Sequence, residues 1–213
     1  MRSYGQFCAL ARSLDLLGER WTLLVVRELL LGPQRFSDLL AALPGIGPNL
    51  LTRRLRMLER EGVVRRALLA PPAAARVYEL TERGRALEHP LLALTSWGVD
   101  PIAPPDPRDR MQPQWYVIAL WAAYRPQAVA GAGDEGYQFE IDGVPFHLER
   151  RDGQARARRG PVSRPAFTLR ASLADFLAIV TGAREPTRLE LEGNRAAFGR
   201  FLTAHALPAP RSN

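Results

Sequence analysis

Apolar positions in the first hundred residues fall into short runs separated by turn residues. Leu10, Leu14 and Leu17 predict a short helix over 8–17, stopped by Gly18. Residues 21–31 (WTLLVVRELLL) are apolar on nearly all sides, with Arg27 and Glu28 as the charges, which predicts a helix buried in a core or a subunit interface. Gly32-Pro33 ends it. A third helix is expected over 37–43, with Ser37 near its start and Leu39, Leu40 and Leu43 inward. Pro44-Gly45-Ile46-Gly47 is a tight turn. Pro48 suits a first helical position, where its missing N–H costs nothing, so a helix from Pro48 to Glu61 follows, capped by Gly62. VVRRALLA and RVYELT, flanking a Pro-Ala loop, predict a hairpin. Thr81-Glu82 opens another helix, broken or kinked at Pro90 and ending near Trp97-Gly98.

Residues 99–113 carry five prolines and predict a linker between two domains, 1–98 and 114–208. The second half has another texture. QWYVIALWAAY (114–124) predicts an apolar-faced helix. YQFEID, VPFHLERR, QARARR and PAFTLRA predict strands, with hairpin turns at Asp142-Gly143 and Asp152-Gly153. A helix over 172–182, a strand over 188–192 and a last helix over 195–204 complete the pattern.

On a wheel of about 100° per residue, Leu51, Leu55 and Leu58 form one stripe of the helix at 48–61. Asn49, Arg53, Arg56 and Arg60 fall opposite, with Thr52 at the border. Arginine bonds bidentately to guanine edges and asparagine to adenine, and the preceding helix and turn complete a helix-turn-helix. Residues in the N-terminal half are placed for bases, and Arg60 for phosphate. The hairpin then reads as a wing, with Arg65, Arg66 and Arg76 at its base near phosphates.

Charge supports this locally rather than globally. The net charge is +7 and every basic residue is arginine, a bias that GC-rich coding explains as well as DNA contact. The excess is +4 in residues 1–100 and +3 in 101–213, yet residues 47–66 alone hold six Arg against two Glu. A concentrated basic strip speaks for phosphate binding more than a global charge does.

Residues 8–97 resemble the HxlR family of winged-helix regulators, similar in fold to the MarR group. The residues that carry the resemblance are Cys8, RWTLLVVRELLLGPQRFSDLLAALPGIGPNLLTRRLRMLEREGVVRR, VYELTERGRAL and Trp97. The resemblance implies a homodimer on a palindromic operator in double-stranded DNA, probed by Pro48–Glu61, with its interface built from helices 8–17 and 81–97. The expected DNA-contacting set is Arg35, Ser37, Pro48, Asn49, Thr52, Arg53, Arg56, Arg60, Arg65, Arg66 and Arg76. The chain departs from the family twice. Gly47 stands where many members have serine, a better N-cap. The wing loop ALLAPPAAA has no charge before Arg76. Cys8 occupies the position where some relatives carry a redox- or electrophile-sensing thiol. Its alternative is a buried core cysteine, the commoner setting for that residue type.

Residues 114–207 resemble the sterol-carrier-protein-like fold, in YQFEIDGVPFHLERRDGQARARRG, ASLADFLAIVTG and RLELEGNRAAFGRFL. That implies a sheet covered by helices around an apolar cavity for a hydrophobic small molecule. Candidate wall residues are Trp115, Ile118, Trp121, Phe139, Phe146, Phe167, Phe176, Val180 and Phe198, and the same residues would equally fill a core. The fold class is therefore α+β: a winged helix-turn-helix followed by a mostly antiparallel sheet covered by helices. The second domain either senses a ligand or extends the dimer.

Catalysis finds no support in the motifs. His89, His147 and His205 are scattered, and no HxxxH, CxxC, clustered carboxylates, Gly-rich phosphate loop or G-x-S-x-G occurs, so no metal or cofactor is expected. A single cysteine and the lack of a secretory pattern or a long apolar run lead us to expect a cytoplasmic protein away from membranes. The rival reading is a carrier of lipid-like ligands whose winged helix serves protein contacts.

Overall fold

The structure, a computed structural model, describes residues 3–71, 74–99, 108–182 and 190–208. The chain packs as two units, Met1–Leu91 and Leu92–Asn213. The division falls inside a helix, ahead of the proline-rich stretch 99–113, of which 100–107 lie outside the described residues.

In the first unit, α1 (Ala9–Leu17), α2 (Thr22–Leu30), α3 (Phe36–Ala42) and α4 (Pro48–Arg60) precede a hairpin of β1 (Val64–Leu68) and β2 (Arg76–Leu80). Val25 and Val26 of α2, Leu39 of α3, and Leu51, Leu55 and Leu58 of α4 are buried together with Val64 and Leu80. Each such side chain contributes about 1.5–3 kcal/mol when fully buried. The mostly apolar α2 is indeed a core helix, yet it also buries Glu28, whose carboxylate meets Arg27 at 2.8 Å.

The expected helix after the wing is two helices, α5 (Glu82–Arg85) and α6 (Glu88–Val99). Their junction is Ala86-Leu87, not Pro90. Proline fits the first turn of α6, where no intrahelical N–H bond is lost, so Pro90 breaks nothing. Thr81 organises the wing base: its N–H donates to the Val63 carbonyl (3.0 Å), its hydroxyl donates to the Gly62 carbonyl (2.5 Å), and it accepts from the Gly84 N–H (3.1 Å).

In the second unit, α7 (Pro113–Ala122) and a 3-10 turn at Pro126–Val129 lead into β3 (Glu135–Ile141), β4 (Val144–Arg151), β5 (Gln154–Arg159) and β6 (Phe167–Ala171). Next come α8 (Leu173–Thr181), β7 (Glu190–Gly193) and α9 (Arg195–His205). Residues 188 and 189 of the expected last strand lie outside the described residues. The sheet order is β5-β4-β3-β6-β7, parallel at β3–β6 and antiparallel elsewhere. The turns at Asp142-Gly143 and Asp152-Gly153 have positive φ at both positions, as a type I′ hairpin requires. Alternation puts Tyr137, Phe139, Phe146, Leu148 and Phe167 on the face that α7, α8 and α9 cover.

Candidate nucleic-acid interface

The leucine stripe fixes how α4 is oriented. Leu51, Leu55 and Leu58 face the core, so Asn49, Arg53, Arg56 and Arg60 face solvent, as the wheel predicts. Thr52 donates its hydroxyl back to the Pro48 carbonyl at 2.8 Å and stays half-buried. Pro48 is the first helical residue, and Gly47 before it supplies no side-chain cap. Three orphan N–H groups and a helix dipole therefore start α4 without a competing side-chain acceptor at that position.

The structure sorts the arginines into free and neutralised groups. Arg53, Arg56 and Arg76 are exposed and have no carboxylate partner among the described residues. Arg60 is held by its neighbour Glu61 at 2.9 Å. At the wing base, Arg65 meets Glu79 at 2.6 Å and Arg66 meets Glu59 at 3.2 Å. These three were expected at phosphates, and each must share its charge with an acid on the same surface. Arg35 and Ser37 are exposed at the start of α3; Asp38 accepts from the Arg35 N–H at 3.3 Å and from the Ser37 hydroxyl at 3.2 Å.

Arg54 is the arginine of α4 that the wheel reading left unassigned. It lies three residues after Leu51 and four before Leu58, on the leucine side, and its side chain is 15% exposed. Its guanidinium meets the Glu19 carboxylate at 2.6 Å and donates to the Arg20 carbonyl at 3.3 Å. The same spacing that assigns the leucines inward assigns Arg54 inward too, so the signal was present.

The wing tip is apolar: Leu68 is 72% exposed, and residues 72 and 73 lie outside the described residues. Cys8 is exposed at the N-cap of α1, which sets aside the buried-core alternative. Around it, Tyr4, Phe7 (95%), Leu10 (66%) and Leu14 present apolar side chains to solvent. On α6, Leu94 and Trp97 are exposed as well.

The aromatic residues expected to wall a cavity pack on one another. Phe139 lies 5.7 Å from Phe176 and 5.8 Å from Phe167, and Phe167 lies 5.2 Å from Phe198. Phe146, Ile118, Trp121 and Val180 are buried, and Trp115 is half-buried. Phe201, Tyr137 and His205 complete the cluster and were missed in sequence, although Phe198, Phe201 and His205 repeat with helical spacing along α9. At its margin, Glu135 accepts from the Tyr137 hydroxyl (2.7 Å), from Arg150 (2.9 Å) and from Arg200. Burial pushes the Glu135 carboxyl up, but hydrogen bonds from Arg200, Tyr137 and Arg150 outweigh it and hold the group below its ordinary range. Burial, then the bond to Glu135, pushes the Tyr137 phenol up to about 12.

Two known families match separate stretches of the chain. Residues 16–105 match the HxlR-like helix-turn-helix family, and residues 119–195 match the SCP-2 sterol transfer family. The HTH-type transcriptional regulator YvaP of Bacillus subtilis is 40% identical over 93 residues, which are 44% of this chain and 86% of YvaP. The HTH-type transcriptional regulator sll1512 of Synechocystis is 42% identical over 97 residues, 45% of this chain and 71% of that protein. Among solved structures, the reduced form of the transcriptional regulator YodB from B. subtilis is 32% identical, covers 47% of this chain and 100% of its own, and superposes with a TM-score of 0.40.

Proposed function

The chain belongs to the HxlR-like helix-turn-helix family, and from that we propose that it regulates transcription by laying α4 in the major groove of double-stranded DNA. The observation that carries this is the pair Arg53 and Arg56: exposed, without a carboxylate partner among the described residues, and aimed outward by a helix whose other side is locked in the core. Asn49 and Thr52 flank them for base edges, and Arg76 stands ready for phosphate. Replacing Arg53 or Arg56 by Ala costs about 1–3 kcal/mol of affinity for a cognate duplex. Fluorescence anisotropy on a site selected from random DNA measures it. Unchanged affinity in both variants overturns the assigned face. If the wild-type chain shows no salt-sensitive duplex binding at all, the carrier reading takes its place.

The exposed apolar side chains of α1 suit a second copy of the chain, which would set two α4 helices roughly 34 Å apart on a palindrome. Sedimentation of wild type and Leu10→Glu tests this; the variant should be monomeric and bind half-sites weakly. Control by a thiol switch at Cys8 is favoured by the exposure of that residue on the same helix. Diamide treatment should weaken DNA binding by wild type and spare Cys8→Ser. Control by an apolar ligand rests on the SCP-2 match, and would require the packed rings around Phe139 to separate.

A further inference from the structure

The sheet of the second unit ends on one side in β5, which pairs with β4 alone among the described strands. The pairs run from Arg151–Gln154 to Phe146–Arg159 without a bulge, and QARARR holds neither proline nor glycine. Edge strands are often blunted by such features, and this one is not. The two-residue turn Asp152-Gly153 makes Arg151–Gln154 a hydrogen-bonded pair, and the ladder alternates from there. Glu149–Arg156 and His147–Arg158 are therefore bonded pairs, and the series continues in the bond from the Gly160 N–H to the Pro145 carbonyl at 2.9 Å. Ala155 and Ala157 hold the alternate positions, so their N–H and C=O groups point away from the sheet, and no backbone group among the described residues meets them. Their methyl groups are buried, while Arg156 and Arg158 are exposed on the outer face. Glu149, opposite Arg156, is taken by Arg151 at 2.9 Å. His147, opposite Arg158, is buried and bonded to the Gly160 carbonyl at 2.9 Å. Neither Arg156 nor Arg158 has a carboxylate partner among the described residues.

We propose that β5 is a docking edge for an extended acidic segment of a partner protein, which adds to the five-stranded sheet as a further antiparallel strand. The proposal stands apart from the duplex-binding reading and concerns the second unit only. On the added strand, the residue bonded to Ala157 lies on the inner side, toward α7, which packs against β4 and β5. The residues before and after it stand directly opposite Arg158 and Arg156, in non-hydrogen-bonded pairs whose Cα atoms approach to about 4.5 Å. Opposite charges attract in such pairs and like charges repel. The segment that fits is therefore acid–apolar–acid. The same edge disfavours two other occupants. A second β5 laid antiparallel about Ala157 sets arginine against arginine at both outer positions. Nucleic-acid phosphates accept hydrogen bonds but donate none, so they match the outward N–H groups of Ala155 and Ala157 and leave the carbonyls unmatched. Another strand supplies both donors and acceptors at the right spacing.

The test uses the full chain and an end-blocked, fluorescent peptide of about ten residues, the length of a strand, with Glu-Val-Glu at its centre and threonine around it. Anisotropy measures binding, and amide hydrogen exchange by NMR reads the Ala155 and Ala157 N–H groups. The peptide should bind and slow exchange at both alanines. Arg156→Glu/Arg158→Glu should weaken binding on the order of tenfold, since two attractive pairs become repulsive. The same double variant should bind a Lys-Val-Lys peptide that the wild type refuses, a gain that a misfolded chain could not show. A peptide of the same charge with proline for the valine lacks the central N–H and should bind on the order of tenfold more weakly. Equal binding of the proline peptide, or no protection of the two alanines at millimolar Glu-Val-Glu peptide, overturns the added strand. Loss of the Glu-Val-Glu peptide by the double variant without gain of the Lys-Val-Lys one overturns it too. Protection of the same amides by a random duplex or by phosphatidylglycerol vesicles overturns it in favour of phosphate. Protection that grows with the concentration of the chain alone overturns it in favour of a second copy.

Discussion

Arg54 of α4 and Glu19 of the loop after α1 meet at 2.6 Å, across 35 positions of sequence. Through this pair and the Arg20 carbonyl, the helix proposed to read DNA is tied to the end of the helix that carries the exposed apolar face. Arg54→Ala should destabilise the fold by about 1 kcal/mol, because the pair is partly screened by solvent. It should leave the salt slope of DNA binding almost unchanged, since this guanidinium is already neutralised. Urea denaturation and a salt titration measure the two; a slope shallower by about one with no loss of stability would place Arg54 on a phosphate instead.

The acids beside the wing restrain the interface. Glu59 holds Arg66, and Glu79 holds Arg65. Glu59→Gln and Glu79→Gln should each tighten binding to any duplex a few-fold and steepen the salt slope by about one, by freeing a cation for phosphate. Weaker binding in both variants would show that the ion pairs position the wing rather than mask it.

Acid should loosen the second unit through His205. Burial holds its imidazole down at about 4, outweighing the bond to the Leu120 carbonyl, against 6.5 for the free group. Between these values the unfolded chain binds a proton that the folded chain refuses. Stability is therefore complete above pH 6.5, falls as pH drops through that window, and the loss levels off near pH 4, at about 3 kcal/mol in all. His205→Phe keeps a ring against Phe201 and Tyr124 and should flatten the decline. Equal slopes in denaturation midpoint for wild type and variant from pH 7 to 5 would refute the assignment.

At the wing base, a Cβ on Gly84 would lie 2.1 Å from the Val63 carbonyl oxygen. Gly84→Ala should cost about 2–3 kcal/mol, because a backbone atom cannot step aside as a side chain can. A denaturation midpoint within error of wild type would mean that α5 shifts freely against β1.

Cys8 should react with a thiol reagent such as DTNB in the native protein at a stoichiometry of one per chain, without denaturant. A thiol that reacts only after unfolding would show that association covers it.

Much of this was legible along the chain because it rests on local rules. Three leucines at helical spacing orient α4, and two Asp-Gly pairs set the hairpins of the second sheet. The break at Ala86-Leu87 was misplaced because proline was read as a breaker without regard to its position in a helix. Arg54 was left unassigned because it entered only as one charge of the basic strip, without its place on the wheel. The family was readable from the motif-rich first half.

What the sequence by itself determined is which residues face in and which face out, since helix and strand periods depend on neighbours a few positions away. Tertiary structure alone decided which outward cations are left without an acid beside them. Ion pairs such as Arg65–Glu79 join residues that only folding brings within Coulomb range, and no periodicity encodes them. It decided likewise that Phe139, Phe167 and Phe176 pack on one another, because a core and a cavity wall use the same side chains and differ in what occupies the space between them.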